Sequence, residues 1–181
     1  RYKAECPTVT APFRRRGPVH GAEVAFARAE PAHQLKFTLP GPMTIADTIA
    51  DEHYGDRVKL AFALAEAVNE EARELDKLGA DVIQFDEPAF NVYLDEVREW
   101  GVAALERAGE GLRCKTAVHI CYGYGIKANI DWKGGLGEEW RQYERTFPHL
   151  AGSRIDQVSL ECLHSRVPAS LMGLLKGKDV Q

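Results

Sequence analysis

The fold class follows most directly from one segment, which reads Gly79-Ala80-Asp81-Val82-Ile83-Gln84-Phe85-Asp86-Glu87-Pro88-Ala89. Gly79 is a natural end for the helical pattern that precedes it, and the apolar run at 82–85 predicts a buried strand. The run ends at an acidic pair and a proline, and proline cannot continue a central strand. A strand that follows a helix and ends in charged residues is typical of an α/β protein.

Helices and strands alternate on both sides of this segment. Apolar residues at helical spacing predict helices at 57–77, 94–108, 138–147 and 168–175. Short apolar runs predict strands at 35–39, 82–85, 115–121 and 157–161, and 178–181 reads as the opening of a fifth strand. A glycine-rich loop containing Gly123 and Gly125 is expected between the third strand and Gly137. Because right-handed crossovers place successive strands side by side, we expect parallel strands in sequential spatial order.

Polar side chains follow three of the predicted strands at their carboxyl ends. They are Asp86, Glu87, His119, Cys121 and Glu161. In a (β/α)8 TIM barrel this edge is the rim that carries the catalytic groups. A doubly wound sheet places its ligand at the same strand ends, so this pattern alone leaves both folds open.

The chain length bounds how much of a barrel can be present. A (β/α)8 barrel has eight strands and typically about 250 residues, whereas the chain has 181. We therefore expect residues 1–181 to form a single domain that covers about half of a TIM barrel, with the N- and C-terminal parts absent. Because half a barrel leaves strand edges unpaired, either the sequence is truncated or another chain completes the barrel. A homo-oligomer is one such possibility.

Composition excludes several classes of protein. The net charge of -4 argues against a nucleic-acid binder, and no apolar run approaches the roughly 20 residues that span a bilayer. Four cysteines are too few for a disulfide scaffold, so reduced thiols and a cytoplasmic location are expected. The basic run Arg14-Arg15-Arg16 and the helical pair Glu70-Glu71 are both interpreted as solvated surface.

The triplet His119-Ile120-Cys121 is the sharpest local signal for chemistry. Residues i and i+2 of a strand project to the same face, so an imidazole and a thiolate, both favoured zinc ligands, would point together. Glu161 lies on one face of the next strand and is either a third ligand or part of a rim salt bridge. Asp86 is either a binder of an amino group or cation, or the N-cap of the following helix.

Four motifs in series resemble one protein family. They are Leu39-Pro40-Gly41-Pro42-Met43-Thr44-Ile45, the segment 79–89 quoted above, His119-Ile120-Cys121-Tyr122, and Ser159-Leu160-Glu161 followed by Ser165-Arg166. In order and spacing, over about residues 33–176, they resemble the catalytic domain of the cobalamin-independent methionine synthases. The resemblance implies a (β/α)8 barrel and zinc as cofactor. It also implies methyl transfer to the thiol of homocysteine, giving methionine.

The resemblance also assigns roles to particular residues. His119, Cys121 and Glu161 correspond to zinc ligands, and Asp86 corresponds to the aspartate that holds the amino group of homocysteine. The family's fourth ligand, a cysteine, and its catalytic histidine both correspond to positions beyond Gln181. No catalytic residue is therefore expected within this chain.

Two departures bear on the methyl donor, which is either methyltetrahydrofolate or a methylcorrinoid protein. Val92 and Thr48 stand where folate-using members of the family have a glutamate and a tryptophan that contact the folate. The resemblance is therefore closest to the short, core form of the family, and we expect weak use of free methyltetrahydrofolate.

Three other functions remain open at this point. A zinc-dependent thiol alkyltransferase acting on coenzyme M would use the same His-x-Cys site, although an amino-group binder at Asp86 disfavours it. A barrel like that of uroporphyrinogen decarboxylase would need no metal. The chain could also be a non-catalytic fragment or an assembly subunit.

Overall fold

The computed structural model describes residues 6–30, 32–123 and 127–181. The strands are β1 (Thr8–Val9), β2 (Lys36–Pro40), β3 (Ala50–Asp51), β4 (Val82–Asp86), β5 (Lys115–Ile120), β6 (Gln157–Leu160) and β7 (Asp179–Val180). The helices are α1 (Gly21–Arg28), α2 (Pro42–Thr48), α3 (Arg57–Lys77), α4 (Leu94–Glu96), α5 (Val102–Ala108), α6 (Lys127–Gly134) and α7 (Tyr143–Ala151). Short 3-10 helices span Pro88–Asn91 and Ala169–Leu174, and a π turn at Val97–Gly101 joins α4 to α5.

The main sheet has five parallel strands in the order β2-β4-β5-β6-β7. This order confirms the prediction of parallel strands in sequential spatial order, including the fifth strand near the end of the chain. The α/β fold is the one expected of a TIM barrel of which the chain covers part. β1 and β3 form a separate parallel pair, which the sequence pattern did not predict.

The long helix α3 shows why the helical pattern was readable. Its apolar side is buried at Leu60, Ala61, Leu64, Ala65, Ala72 and Leu75. Asp56 caps its first turn, because the carboxylate accepts hydrogen bonds from the backbone N–H groups of Val58 and Lys59. Beyond Lys77, Gly79 adopts a φ of 98°, a left-handed conformation that favours glycine and turns the chain into β4.

Three predicted segments differ from the structure. The helix expected at 138–147 begins at Tyr143 instead, and the irregular segment before it is tied to the loop after β6 by a hydrogen bond from the N–H of Trp140 to the carbonyl of Ser165. The short helix expected at 168–175 is present, but it is a 3-10 helix. The expected glycine-rich loop contains helix α6, and Gly125 lies outside the described residues.

Two charged groups that were interpreted as solvated are partly buried. Glu71 accepts hydrogen bonds from the backbone N–H groups of Val19 and His20 and forms an ion pair with Arg15 at 2.6 Å. Arg15 also pairs with Glu74. Burial opposes the ionised form of Glu71, but these donors keep its pKa below the ordinary value. The interpretation as solvated surface was wrong for Arg15 and Glu71, because their partners lie more than fifty residues apart in the chain. It is confirmed for Arg14, Arg16 and Glu70, which are exposed.

The chain buries one hydrophobic core between the sheet and the helices. Its largest fully buried apolar side chains are Tyr143, Phe85, Phe90, Phe147, Met43 and Leu75. Among the helices within the described ranges, none is both long and apolar enough to cross a bilayer.

Candidate functional site

The strand register brings the predicted site residues to one edge of the sheet. Asp86 of β4 lies opposite His119 of β5, and His119 lies opposite Ser159 of β6. Cys121 lies two residues after His119, and Glu161 lies two residues after Ser159. Alternation along a strand places residues two apart on the same face, so Asp86, His119, Cys121 and Glu161 converge at the carboxyl ends of three neighbouring strands.

Three of these side chains line a single pocket of about 410 Å³. His119, Cys121 and Glu161 share it with Tyr122, Gly123, Lys133, Trp140 and His164. An imidazole, a thiol and a carboxylate are the ligand types that zinc takes from proteins. The donor set therefore fits zinc, and these three residues are the ones that would hold it.

Hydrogen bonds already orient two of these side chains. His119 Nδ1 lies 3.2 Å from the Ser159 hydroxyl, which leaves the opposite ring nitrogen, Nε2, available as a ligand. The Glu161 carboxylate accepts a hydrogen bond of 2.7 Å from the Ser165 hydroxyl and one of 2.8 Å from the N–H of His164. Burial raises the pKa of Cys121, with smaller contributions from the negative charges of Asp86 and Glu161.

The side chains of His119, Cys121 and Glu161 line one pocket, but they are not gathered around a common point at which a metal ion could bind. In the part of the chain that the structure describes, no three His, Cys, Asp or Glu side chains are grouped so that they could hold a metal ion. One physical reason is visible: the Glu161 carboxylate is engaged with the loop that follows it. Bringing the ligands together would require this carboxylate to share or exchange those bonds.

Asp86 and Glu87, the acidic pair at the end of β4, lie in two different environments. Asp86 is half-buried, and its Oδ1 accepts a hydrogen bond of 2.9 Å from Gln84 Nε2. The expectation that Glu87 also faces the rim was wrong, because Glu87 is completely buried. Its carboxylate accepts from the N–H of Met43 and from both the N–H and the hydroxyl of Thr44. The alternative N-cap role of Asp86 is not observed, since the 3-10 helix that follows has no side-chain cap.

Glu87 links the end of β4 to the first turn of α2 through these hydrogen bonds. Burial raises its pKa to about 7, although the hydrogen bonds from Thr44 and Met43 act in the opposite direction. Gly41 leaves room for it, because a Cβ atom on Gly41 would lie 2.2 Å from Glu87 Cδ. The N–H of Gly41 donates to the carbonyl of Asp86, and the N–H of Glu87 donates to the carbonyl of His119, both at 2.8 Å.

Two further buried side chains hold the backbone behind the predicted ligands. Asn91 Nδ2 donates to the carbonyl of Cys121 at 2.9 Å. The Tyr143 hydroxyl lies 3.0 Å from the carbonyl oxygen of Ile120 and 3.1 Å from that of Glu161. Sequence reasoning missed both residues and the burial of Glu87, because nothing in a local pattern shows that a polar side chain will meet a distant carbonyl.

A second pocket, of about 390 Å³, adjoins the first. Tyr122 and Gly123 line both pockets. The other residues around the second pocket are Thr44, Asp47, Thr48, Pro88, Ala89, Val92, Asn129 and Trp132. Thr48 and Val92, the two positions at which the sequence departs from folate-using relatives, therefore lie together beside the predicted zinc ligands.

Comparison with known proteins identifies the family. The model of the cobalamin-independent synthase catalytic domain matches residues 2–124, a segment that contains Asp86, His119 and Cys121. The chain belongs to the cobalamin-independent methionine synthase family. Glu161 lies beyond that match, within the region covered by the structural comparison described next.

Solved structures support the family and the fold. A B12-independent methionine synthase from Shewanella sp. W3-18-1, determined in complex with selenomethionine, is 57% identical with a TM-score of 0.93. The match covers 100% of this chain and 53% of that one. A putative vitamin-B12 independent methionine synthase from Listeria monocytogenes has a TM-score of 0.61 at 13% identity and shows similarity of fold alone.

Curated relatives carry the same family name. A methionine synthase of Sulfolobus acidocaldarius is 32% identical over 155 residues, which are 85% of this chain and 40% of that protein. One from Saccharolobus solfataricus is 39% identical over 118 residues, or 65% of this chain and 35% of the relative. The chain thus spans less than half the length of these curated relatives and about half that of the Shewanella protein.

Proposed function

We propose that the protein containing this chain transfers a methyl group to the thiol of homocysteine, giving methionine, with zinc as cofactor. In this reaction a bond forms between homocysteine sulfur and the methyl carbon. The bond between that carbon and the donor breaks, and its electron pair remains with the donor. The observation that carries the proposal is the convergence of Asp86, His119, Cys121 and Glu161 at one edge of the sheet.

Each of these residues has a defined task. His119, Cys121 and Glu161 would hold zinc, with the Ser159 hydroxyl fixing the orientation of the His119 ring. When bound, zinc would keep the substrate thiol in its thiolate form, which is the nucleophile. Asp86, oriented by Gln84, would bind the amino group of homocysteine. Because Asp86 would bind this amino group, the site would favour an amino-acid thiol over coenzyme M, which has no amino group.

The Shewanella relative supports the identity of the product. Its structure holds selenomethionine, which is methionine with selenium in place of sulfur. A close relative over the whole length of this chain therefore binds a molecule with the shape of the proposed product. Methionine and homocysteine share the amino and carboxylate groups, so one binding site can serve both.

The second pocket would face the methyl donor. It adjoins the zinc-ligand pocket at Tyr122 and Gly123, so a methyl group entering from it could approach the sulfur directly. Val92 and Thr48 replace the glutamate and tryptophan of folate-using relatives. We therefore propose that a methylcorrinoid donor is used more efficiently than free methyltetrahydrofolate.

The test is an assay of the full-length protein with homocysteine and zinc. Methionine formation is measured with methylcobalamin and, separately, with methyltetrahydrofolate, each with coenzyme M as the alternative thiol. We expect methionine formation to depend on homocysteine and to be faster with methylcobalamin. Efficient turnover of micromolar methyltetrahydrofolate would contradict the donor assignment, and preference for coenzyme M would contradict the substrate assignment.

A further inference from the structure

The ends of β5 and β6 must keep a fixed spacing if residues on both are to bind one ion. At this end of the sheet, just beyond the last ladder pair of β5 and β6, the N–H of Glu161 donates to the carbonyl of Ile120 at 3.3 Å. That distance is long for a backbone hydrogen bond. Ile120 is the residue between His119 and Cys121, so its carbonyl is the point at which the two ligand-bearing segments meet.

A second hydrogen-bond donor reaches the same point from behind the sheet. The Tyr143 hydroxyl lies 3.0 Å from the Ile120 carbonyl oxygen and 3.1 Å from the Glu161 carbonyl oxygen. A phenol carries one proton, so its donation is shared between the two carbonyls and couples the two segments. The Tyr143 ring is fully buried and stacks on Phe147, with ring centroids 4.7 Å apart.

Asn91 extends this network along the His119–Cys121 segment. Its side chain donates to the Cys121 carbonyl at 2.9 Å. Both Asn91 and Tyr143 are buried, and each makes its polar contacts to the backbone of ligand-bearing segments. A tyrosine needed only for its bulk could be a phenylalanine at this position.

We propose that Tyr143 is a positioning residue, whose hydroxyl sets the spacing between the His119–Cys121 segment and Glu161. The proposal rests on the zinc site of the proposed function but concerns a residue outside it. The hydroxyl touches neither metal nor substrate. It acts through its contacts with two carbonyls. One belongs to Ile120, which lies between His119 and Cys121, and the other belongs to Glu161, itself a predicted ligand.

The test compares Tyr143→Phe with Thr146→Val in the full-length protein. Thr146 is a matched control: it lies on the same helix, is equally buried, and its hydroxyl donates to a backbone carbonyl, that of Phe90. Zinc affinity is measured by competition with a chelator. We expect Tyr143→Phe to weaken zinc binding by about 10- to 100-fold, the usual effect of removing a group that orients metal ligands. Thr146→Val should leave zinc affinity within twofold of wild type.

A second measurement needs no metal. In zinc-free protein, hydrogen exchange of the Glu161 amide reports the hydrogen bond to Ile120 directly. We expect it to become about fivefold faster in Tyr143→Phe, as the loss of one hydrogen bond implies, and to stay unchanged in Thr146→Val. If wild-type protein bound no zinc, the zinc assignment would fail while this exchange measurement would still decide the role of Tyr143.

Unchanged zinc affinity and unchanged Glu161 exchange in Tyr143→Phe would overturn the proposal. If that variant does not fold, Asn91→Leu provides a second route, because it keeps the Tyr143 ring and removes the other buried side-chain donor to the backbone of the His119–Cys121 segment. We expect this variant to bind zinc about 10-fold more weakly. Wild-type zinc affinity in Asn91→Leu would then show that side-chain bonds to this backbone do not position the ligands, and would overturn the proposal.

Discussion

Carboxylates at the two ends of the main sheet have different surroundings. At the amino end, each is satisfied by backbone amides of neighbouring segments. Asp81 accepts from the N–H of Leu35 and pairs with Arg28, both at 2.8 Å. Asp156 accepts from the N–H and the hydroxyl of Thr116. At the carboxyl end, Glu161 lines a pocket and Asp86 is half-buried, and their hydrogen-bond partners in the described residues include no arginine or lysine.

The difference extends to protonation. The N–H of Leu35 and the Arg28 guanidinium lower the pKa of Asp81. Burial opposes the ionised form of Asp76, but the Arg113 side chain and the amides of Arg113 and Cys114 hold its pKa below the ordinary value. At the carboxyl end, by contrast, burial raises the pKa of Glu87 to about 7. At the amino end, hydrogen-bond donors and arginines thus favour the ionised carboxylates, whereas at the carboxyl end burial favours the protonated form of Glu87.

The two cysteines beside β5 give the sharpest test of this contrast. Cys114 precedes the amino end of the strand and Cys121 follows its carboxyl end. In the full-length protein, we expect Cys121→Ala to lower zinc content and methyl transfer together, the latter by at least about 1,000-fold, because a zinc thiolate ligand is lost. Cys114→Ala should retain both. A Cys121→Ala protein that is fully active without zinc would refute the proposed mechanism.

Alanine substitutions at Gly41 and Gly111 separate the effect of side-chain overlap from that of backbone strain. Gly41 follows β2 at the carboxyl end, and a Cβ there would overlap the buried Glu87 carboxyl group. We expect Gly41→Ala to lower the free energy of unfolding by more than about 3 kcal/mol and to weaken homocysteine binding through Asp86, whose carbonyl Gly41 holds.

Gly111 lies at the amino end with a φ of 74°, and a Cβ there would make only an ordinary van der Waals contact with the Arg73 side chain. Gly111→Ala should therefore cost only about 1–2 kcal/mol, through the left-handed backbone alone, with homocysteine affinity unchanged. Urea unfolding and isothermal titration with homocysteine measure the two effects. Equal losses of stability and of binding in the two variants would contradict the distinction between the two ends.

The buried carboxyl groups Glu87 and Asp76 should give pH dependences of opposite sign. Because folding raises the pKa of Glu87 from 4.5 to about 7, its protonated form is favoured in the folded state. Its contribution to stability is fully present below pH 4.5 and is lost as the pH rises through 7. Asp76 has a folded pKa below its ordinary 3.8, so its contribution is present above pH 3.8 and is lost as the pH falls through the folded value.

Urea unfolding of zinc-free protein from pH 3 to pH 8 measures both trends against non-titrating variants. The advantage of wild type over Glu87→Gln should fall by up to about 3 kcal/mol between pH 4.5 and 7, since each pKa unit corresponds to about 1.4 kcal/mol. The advantage over Asp76→Asn should stay level there and fall only below pH 3.8. A flat or rising difference for Glu87 across this range would show that its burial is not what sets its protonation.

Local patterns predicted the elements that depend on local physics. The apolar period of α3 and the runs that became β2, β4, β5 and β6 were readable because each buries one face or both faces against the core. Helix α6 and the starting point of α7 were not predicted. α6 has little amphipathic pattern, and the segment before α7 bonds through the N–H of Trp140 to the distant Ser165, a tertiary contact that no local pattern shows.

The sequence by itself determined that the strands are parallel and sequential, and that Asp86, His119, Cys121 and Glu161 lie at or just beyond their carboxyl ends. It could do so because strand alternation and right-handed crossovers are properties of the local chain. Only the tertiary structure decided that Glu87 is buried, that Gly41 makes room for it, and that Tyr143 joins two carbonyls from behind. These are contacts between segments 18 to 46 residues apart, and their energies depend on burial, which no local pattern specifies.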